Sequence, residues 1–213
     1  MVSSDDEGAL QVSARLVCLV SGSGTIAAAL IEACADEAFG ARVVALGADR
    51  SKLEAFDRAD RAGVPTFSVR LKDFASRDEW DAALTTAVAA YDPDLVVLAG
   101  FMKLTGQAFL ARFGGRVVNT HPALLPAFPG MHGARDALEY GVKVSGATVF
   151  VVDAGTDTGP VVAQRAVEIR DDDTEETLHE RIKVVERSLV VDTVGRLVRE
   201  GFQIIGRKVV MGR

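Results

Sequence analysis

The amino-acid pattern predicts an α/β protein built on a single doubly wound, mainly parallel sheet with antiparallel late strands. Three observations carry this reading. Short apolar runs alternate with helix-like stretches, the signature of βαβ units. The runs are nearly continuous rather than alternating, as in strands buried on both faces. After Gly133 the rhythm changes, and two strand-like runs follow one another across a turn-rich loop.

The first strand is Arg15–Val20, rich in β-branched residues and ending in Ser21-Gly22-Ser23-Gly24. An Ala/Leu/Ile stretch predicts a helix from Thr25 to about Glu37, and Ala41–Leu46 is the second strand. Ser51-x-x-Glu54 has the capping-box pattern and opens a helix to about Ala62, stopped by Gly63-Val64-Pro65. Thr66–Val69 is a short strand, and Ser76-x-x-Glu79 opens another helix to about Tyr91. Asp94–Ala99, entered through Asp92-Pro93, and Arg116–Thr120 are the next strands. Ser145–Val152 and Val161–Ile169 pair antiparallel at one side of the sheet, joined by Asp153–Gly159. Asp173-x-x-Glu176 is a third capping box. It starts the longest helix, to about Glu200, with the apolar stripe Leu178, Ile182, Val185, Leu189 and Leu197. Phe202–Met211 is a short strand or hairpin. With no internal repeat and no long linker, residues 15–213 read as one domain behind a disordered extension, residues 1–14.

Composition bounds the function. The chain has 213 residues, 48% hydrophobic and 25% charged, enough apolar content for a core. No apolar run approaches the roughly 20 residues that span a bilayer. The net charge is −6, so no global basic field invites nucleic acid. Cys18 and Cys34 match neither zinc nor CxxC spacing and read as buried small hydrophobes in a reducing compartment. The N-terminus lacks the basic start and apolar stretch of a signal peptide, so the expected location is cytoplasmic. The three histidines are scattered, so no metal is expected.

Three places can carry chemistry. Ser21-Gly22-Ser23-Gly24-Thr25 joins the first strand to a helix start, where a close backbone approach and unpaired N–H groups suit a phosphate. Gly22-x-Gly24-x-x-Ala27 satisfies a loose dinucleotide fingerprint, but Asp49 lies further on than the usual spacing of about 20 residues. A monophosphate is the better match. The second place is Asn119-Thr120-His121-Pro122 at a strand end, where ligands of open α/β sheets sit. Positions i and i+2 of a strand point to one side, so Asn119 and His121 can aim at one substrate atom and donate to an oxyanion. The third is Asp157, before Thr158-Gly159-Pro160, which by local sequence alone reads as a turn cap.

Together these stretches resemble a known family. Ser21–Thr25, Asp94-Leu-Val-Val-Leu-Ala-Gly-Phe-Met102 and Asn119-Thr-His-Pro-Ala-Leu-Leu-Pro-Ala-Phe-Pro-Gly-Met-His132 are similar to the phosphoribosylglycinamide formyltransferases, as is the spacing on to Asp157-Thr-Gly-Pro160. The likeness runs from about Arg15 onward. The Asn-x-His-Pro segment with a downstream Asp-x-Gly-Pro marks folate-dependent formyl transfer; Pro129–His132 and the phosphate-type loop favour glycinamide ribonucleotide as acceptor.

The resemblance implies a Rossmann-like formyltransferase fold. It implies transfer of formyl from 10-formyltetrahydrofolate, a co-substrate, to the amine of glycinamide ribonucleotide in purine biosynthesis. Asn119 and His121 would stabilise the oxyanion and Asp157 would assist proton transfer through water. It places Gly24, Thr25, Ile26, Gly100, Pro122 and Glu186 against the ribonucleotide, the first three through backbone amides on its phosphate and Glu186 on its ribose hydroxyls. Many relatives have Gly-Asn-Gly-Ser-Asn where this chain has Gly22-Ser-Gly-Thr-Ile26. It places Leu98, Phe101, Met102, Leu104 and Leu110 around the pterin, with the backbone from Val152 through Ala154 to Asp157 on its amide edge. Arg77 and Lys103 match cationic positions near the glutamate tail, Lys103 standing where Arg is common. His132 is expected to support the site and His179 to lie on the surface.

The alternatives are weaker. A formyltetrahydrofolate deformylase is expected to carry an N-terminal regulatory domain, and about fourteen residues precede the first strand. A methionyl-tRNA formyltransferase needs a C-terminal RNA-binding domain and a basic surface. A binding module has no need of Asn119, His121 and Asp157 together, and a dehydrogenase lacks a convincing ribose acid. The expected partners are small molecules, with no nucleic acid and no membrane, in a monomer or homodimer.

Overall fold

The computed structural model describes residues 13–212. The expected N-terminal extension therefore lies, up to residue 12, outside the described residues, and Ala14 already belongs to the first strand. Seven strands form one sheet: β1 (Ala14–Val20), β2 (Ala41–Ala48), β3 (Thr66–Ser68), β4 (Leu95–Leu98), β5 (Val117–His121), β6 (Val144–Val151) and β7 (Val161–Glu168). Their order is β3-β2-β1-β4-β5-β6-β7. The first five pair parallel; β6 runs antiparallel to β5 and β7 antiparallel to β6, as the sequence predicts.

The helices are α1 (Thr25–Ala33), α2 (Glu54–Arg61), α3 (Arg77–Ala89), α4 (Gln107–Phe113), α5 (Gly133–Tyr140) and α6 (Glu175–Glu200), followed by the hairpin β8 (Phe202–Ile205) and β9 (Lys208–Met211). Strand residues alternate between two cores. Leu16, Cys18, Val97 and Val118 join Leu178, Ile182 and Leu189 of α6 on one face. Val17, Leu19, Val96 and Val117 join Trp80 and Leu84 of α3 and Phe109 and Phe113 of α4 on the other. Burying both faces explains the continuous apolar runs. Burial raises the Cys18 thiol to about 12 and the half-buried Cys34 to about 11, and both are free thiols.

Several local expectations need correction. The first helix ends at Ala33, and a short 3₁₀ turn over Glu37–Phe39 completes the connection to β2. Ser51 caps nothing: α2 starts at Glu54 behind Leu53, with no side-chain cap. Ser76 does cap α3, accepting from the Glu79 N–H at 3.1 Å, but the Glu79 carboxylate takes the Ala75 N–H rather than that of Ser76. The α6 box is one residue later than expected, between Thr174 and Thr177. Asp173 instead holds Arg181, which keeps its carboxyl well below the ordinary range.

Two helices, α4 and α5, carry no recognisable start signal. The first turn of α4 is capped from another helix: the buried Asp81 carboxylate accepts from Gly106 N at 2.6 Å and Phe109 N at 3.1 Å. Helix α5 opens on Gly133, a weak helix former, directly behind a Pro-rich loop.

Candidate active site

Strands β1 and β4 are neighbours, but the chain leaves β1 toward β2 and β3 and leaves β4 toward β5. Their carboxyl ends therefore form a topological switch point, where the connections diverge and leave a crevice. The Gly-rich loop leaves β1 there. Gly24 has φ 67° and precedes α1 with no side chain capping that helix. The first turn also lacks an acid, so its N–H groups and positive dipole end stay available. A Cβ at Gly24 would lie 2.6 Å from the Ala55 Cβ, so both the conformation and the space require glycine. Ile26 turns its side chain into the core, 8% exposed, leaving only its backbone to the loop.

Sequence reasoning missed how this loop is held. Ser21 N donates to Gly100 O at 3.0 Å, and Ser21 Oγ accepts from Met102 N at 2.8 Å. The turn after β1 is thereby fastened to the turn after β4, where Gly100 takes φ 80°.

At the end of β5, neighbouring residues serve opposite faces. Thr120 points toward α6, where its hydroxyl donates to Glu186 Oε1 at 2.7 Å. Glu186 is buried, 7% exposed, not a solvated carboxylate. Burial pushes its pKa above the ordinary carboxylate range, and the Thr120 hydroxyl opposes that shift. Asn119 and His121 share the other side. Asn119 Oδ1 accepts from Thr120 N at 2.8 Å, which fixes the amide and leaves its NH₂ to donate outward.

His121 is 3% exposed and is enclosed by two loops. Its Nε2 lies 2.7 Å from Phe128 O, and its Nδ1 lies 3.5 Å from Asp157 Oδ2. Both ring nitrogens face acceptors, an arrangement that the doubly protonated ring satisfies. Asp157 reaches inward because its backbone is left-handed, φ 56°, and its Oδ2 also accepts from Gly130 N at 2.8 Å. A non-glycine residue at positive φ stores local strain and is held there by its surroundings. The structure thus brings Asp157 to His121 across 36 residues of sequence. It adds two partners that the motifs did not reveal: the Phe128 carbonyl and the Gly130 amide.

A row of hydrogen bonds running from the buried Thr148 to the exposed Gln164 supports this loop. Thr148, opposite His121 in the β5–β6 register, donates to Ala123 O at 2.7 Å and accepts from Leu125 N at 3.0 Å. Gln164 of β7 donates to Leu125 O at 2.8 Å. No local signal marks Thr148 or Gln164; only the strand register does. His132 stands at the start of α5, and with Pro122, Glu175, Glu176 and His179 it lines a cavity of about 400 Å³. His179 is half-buried there, not on the open surface, and burial lowers its pKa.

The expected pterin residues divide. Leu98 and Phe101 are core, 3% and 7% exposed, and Phe101 stacks on Trp80 with centroids 6.4 Å apart. Met102 and Leu104 are 58% and 60% exposed, an uncovered apolar rim, and Leu110 is half-buried on α4. Across the cleft, Ala154 is exposed, but the Val152 N–H is already taken by Val117 O at 2.8 Å and the Gly155 N–H by Asp153 at 3.0 Å. That part of the expected backbone edge is therefore smaller than the motif suggests. Arg77 and Lys103 do not form a pair. Arg77 donates to Leu104 O and lies 5.0 Å over the Trp80 ring, while Lys103 Nζ lies 3.5 Å from Asp49 Oδ2. Among the described residues, no group of His, Cys, Asp or Glu is placed to hold a metal, and no helix is long and apolar enough to cross a membrane.

Comparison with known proteins gives a consistent result. Residues 14–194 match the family described as formyl transferase. The chain is 58% identical over 200 residues to the phosphoribosylglycinamide formyltransferase of Mycobacterium tuberculosis (strain H37Rv), covering 94% of this chain and 92% of that protein. The Bacillus subtilis (strain 168) protein of the same name is 34% identical, covering 86% and 94%. Among solved structures, glycinamide ribonucleotide transformylase 1 from Symbiobacterium toebii superposes with TM-score 0.91 at 40% identity, covering 94% of each chain.

Proposed function

The chain belongs to the formyl transferase family, in its phosphoribosylglycinamide formyltransferase branch, and on that premise we propose a mechanism for its own residues. The amine of glycinamide ribonucleotide attacks the formyl carbon of 10-formyltetrahydrofolate directly. The C–N bond to the folate breaks after a tetrahedral intermediate has formed. The observation that carries this is the convergence of Asn119, His121 and Asp157 at the end of β5, with His121 enclosed between a carbonyl and a carboxylate.

The chemistry needs donors where negative charge develops on the formyl oxygen. The outward NH₂ of Asn119 is one such donor. The imidazolium of His121 is the second, turning an N–H from the Phe128 carbonyl toward the oxyanion as substrate enters. Hydrogen bonds of this kind tighten only in the complex. Asp157, beside the His121 Nδ1, accepts, through a water, the proton lost by the attacking amine. The same water returns it to the departing folate nitrogen, so the proton count balances without an outside base.

The Gly24, Thr25 and Ile26 amides meet the ribonucleotide phosphate, and Gly100, Pro122 and Glu186 complete its site. A buried carboxylate with one oxygen on Thr120 has its other free to accept a ribose hydroxyl. The exposed rim of Met102 and Leu104, with Leu110 and the Val152–Ala154 segment, forms the pterin slot. A flat heteroaromatic ring there covers apolar surface that the folded chain leaves in water. Arg77 fixes the Leu104 carbonyl, and Lys103 faces the anionic tail of the folate.

The test is formyl transfer by the purified protein, given 10-formyltetrahydrofolate with and without glycinamide ribonucleotide. Release of tetrahydrofolate that requires the ribonucleotide is the expected outcome. Release of formate without it would instead make the acceptor water.

A further inference from the structure

The hairpin β8–β9 has no part in the proposed mechanism, yet its tip reaches the loop that carries Asp157. The base of the hairpin is anchored. Gly212 N donates to Gly201 O at 2.9 Å, and Phe202, Val209 and Met211 pack on the core beside β7 and α6. Phe202 pairs with Met211 and Ile205 with Lys208, so the connecting turn has two residues, Gly206 and Arg207. Gly206 takes φ 61°, the left-handed start that such a tight turn requires. The turn presents Arg207 to a segment 49 residues earlier in the chain, where its Nη2 donates to Thr158 O at 2.8 Å.

Thr158 directly follows Asp157, whose left-handed backbone, φ 56°, must be held by its surroundings. Within the segment, Asp153 Oδ1 accepts from Gly155 N at 3.0 Å and from Thr158 Oγ1 at 2.6 Å. From outside, Gly130 N and His121 meet the Asp157 carboxylate. Both of those contacts depend on the charge of a group that, in the proposed mechanism, handles a proton. The bond from Arg207 does not. Among the described residues it is the one hydrogen bond that the main chain of residues 153–159 receives from outside that segment. Its donor is a guanidinium, which strengthens a bond to a carbonyl and keeps its charge at every pH where the enzyme is folded.

We propose that Arg207 is a positioning residue for formyl transfer. By holding the Thr158 carbonyl it keeps the 153–159 segment closed, and with it Asp157 turned toward His121. This rests on the proposed role of Asp157 and adds a group that acts through it without touching either reactant. The hairpin thereby couples the end of the domain to the reacting centre. The bond is exposed, so its effect on turnover is modest and its effect on global stability smaller still. The phosphate seat at Gly24 lies on a different loop and is untouched by it.

The experiment is a double-mutant cycle between Arg207→Ala and Asp157→Asn, read by steady-state kinetics and by hydrogen exchange of the full chain. Arg207→Ala should lower kcat about fivefold, the upper end of what one exposed charge-assisted bond supplies. KM for glycinamide ribonucleotide should stay within about twofold. Arg207→Lys keeps a charged donor and should recover most of the loss. In the Asp157→Asn background, Arg207→Ala should lower kcat no further, because the two residues act as one unit. Amides of residues 153–159 should exchange about fivefold faster in Arg207→Ala than in the parent. Parent-like kcat in Arg207→Ala, a loss that Lys does not restore, or the same loss in both backgrounds would overturn the proposal. Near-parent turnover in Asp157→Asn would overturn the catalytic reading instead. Hydrogen exchange then decides the clamp by itself, faster exchange sustaining it and unchanged exchange removing it.

Discussion

The loop after β1 and the loops around His121 solve the same problem in opposite ways. The first presents backbone amides from a helix start and needs almost nothing from its side chains beyond the bare Cα of Gly24 and the Ser21 hydroxyl. The second is built from side chains and carbonyls of β5, the 122–130 loop and the 152–160 loop, which meet only in the folded state. A backbone site tolerates exchange of side chains but not an added atom in the wrong place. A side-chain site tolerates small shifts in packing but not a change of functional group.

The largest expected effect breaks the second region. His121→Asn or Asp157→Asn should lower kcat about 100- to 10,000-fold, the range for a lost acid–base or oxyanion group. Thermal unfolding should stay close to that of the parent, and near-parent turnover in either variant would refute the assignment. Next comes the first region. Gly24→Val forces a side chain into a left-handed backbone and against Ala55, and should cost about 3 kcal/mol in chemical denaturation. Asp81→Asn tests a support shared by the folate side. The α4 amides would lose a charged acceptor, for about 1–2 kcal/mol of stability, and KM for the folate should rise more than KM for the ribonucleotide.

Glu186 provides a test by pH. Its folded pKa is raised by burial, so its contribution is fully present below the ordinary carboxylate value and is lost as pH rises through the elevated one. Unfolding curves from about pH 4 to about pH 8 should show this decline, and Glu186→Gln should flatten it. The smallest effect sharpens the contrast between the regions. Ile26→Val keeps the backbone donor and most of the buried volume, so KM for the ribonucleotide should stay within about twofold.

The same contrast explains what could be read in the sequence. Strands β1, β2, β4 and β5 and the Gly-rich turn are local patterns of apolar runs and glycine spacing, and all appear within a residue or two of the expected places. The antiparallel pair β6 and β7 was equally plain from the turn-rich loop between them. Helix α4 was not, because its cap is Asp81, 25 residues before Gly106. Ser51 shows the converse, a correct local pattern that the fold leaves unused. At the site, Asn119 and His121 share a side by strand alternation alone. Asp157 is visible as a candidate but reads locally as a turn cap, and only the family resemblance gives it a catalytic role, because its inward reach depends on a left-handed backbone that no residue type announces. Phe128 and Gly130 contribute main-chain atoms, which any residue has, so their identities carry no signal.

The link from Ser21 to Gly100 and Met102 has a consequence for the timing of catalysis. It pins together the turn proposed to face the phosphate and the turn that begins the proposed pterin rim, so neither swings independently of the other. On the proposed placement of the two reactants, the separation between their seats is therefore set while the chain folds. What a pair of free molecules loses in wandering when they meet in solution has, in this crevice, largely been lost before either arrives. Cutting the pin would leave both seats intact and the distance between them loose.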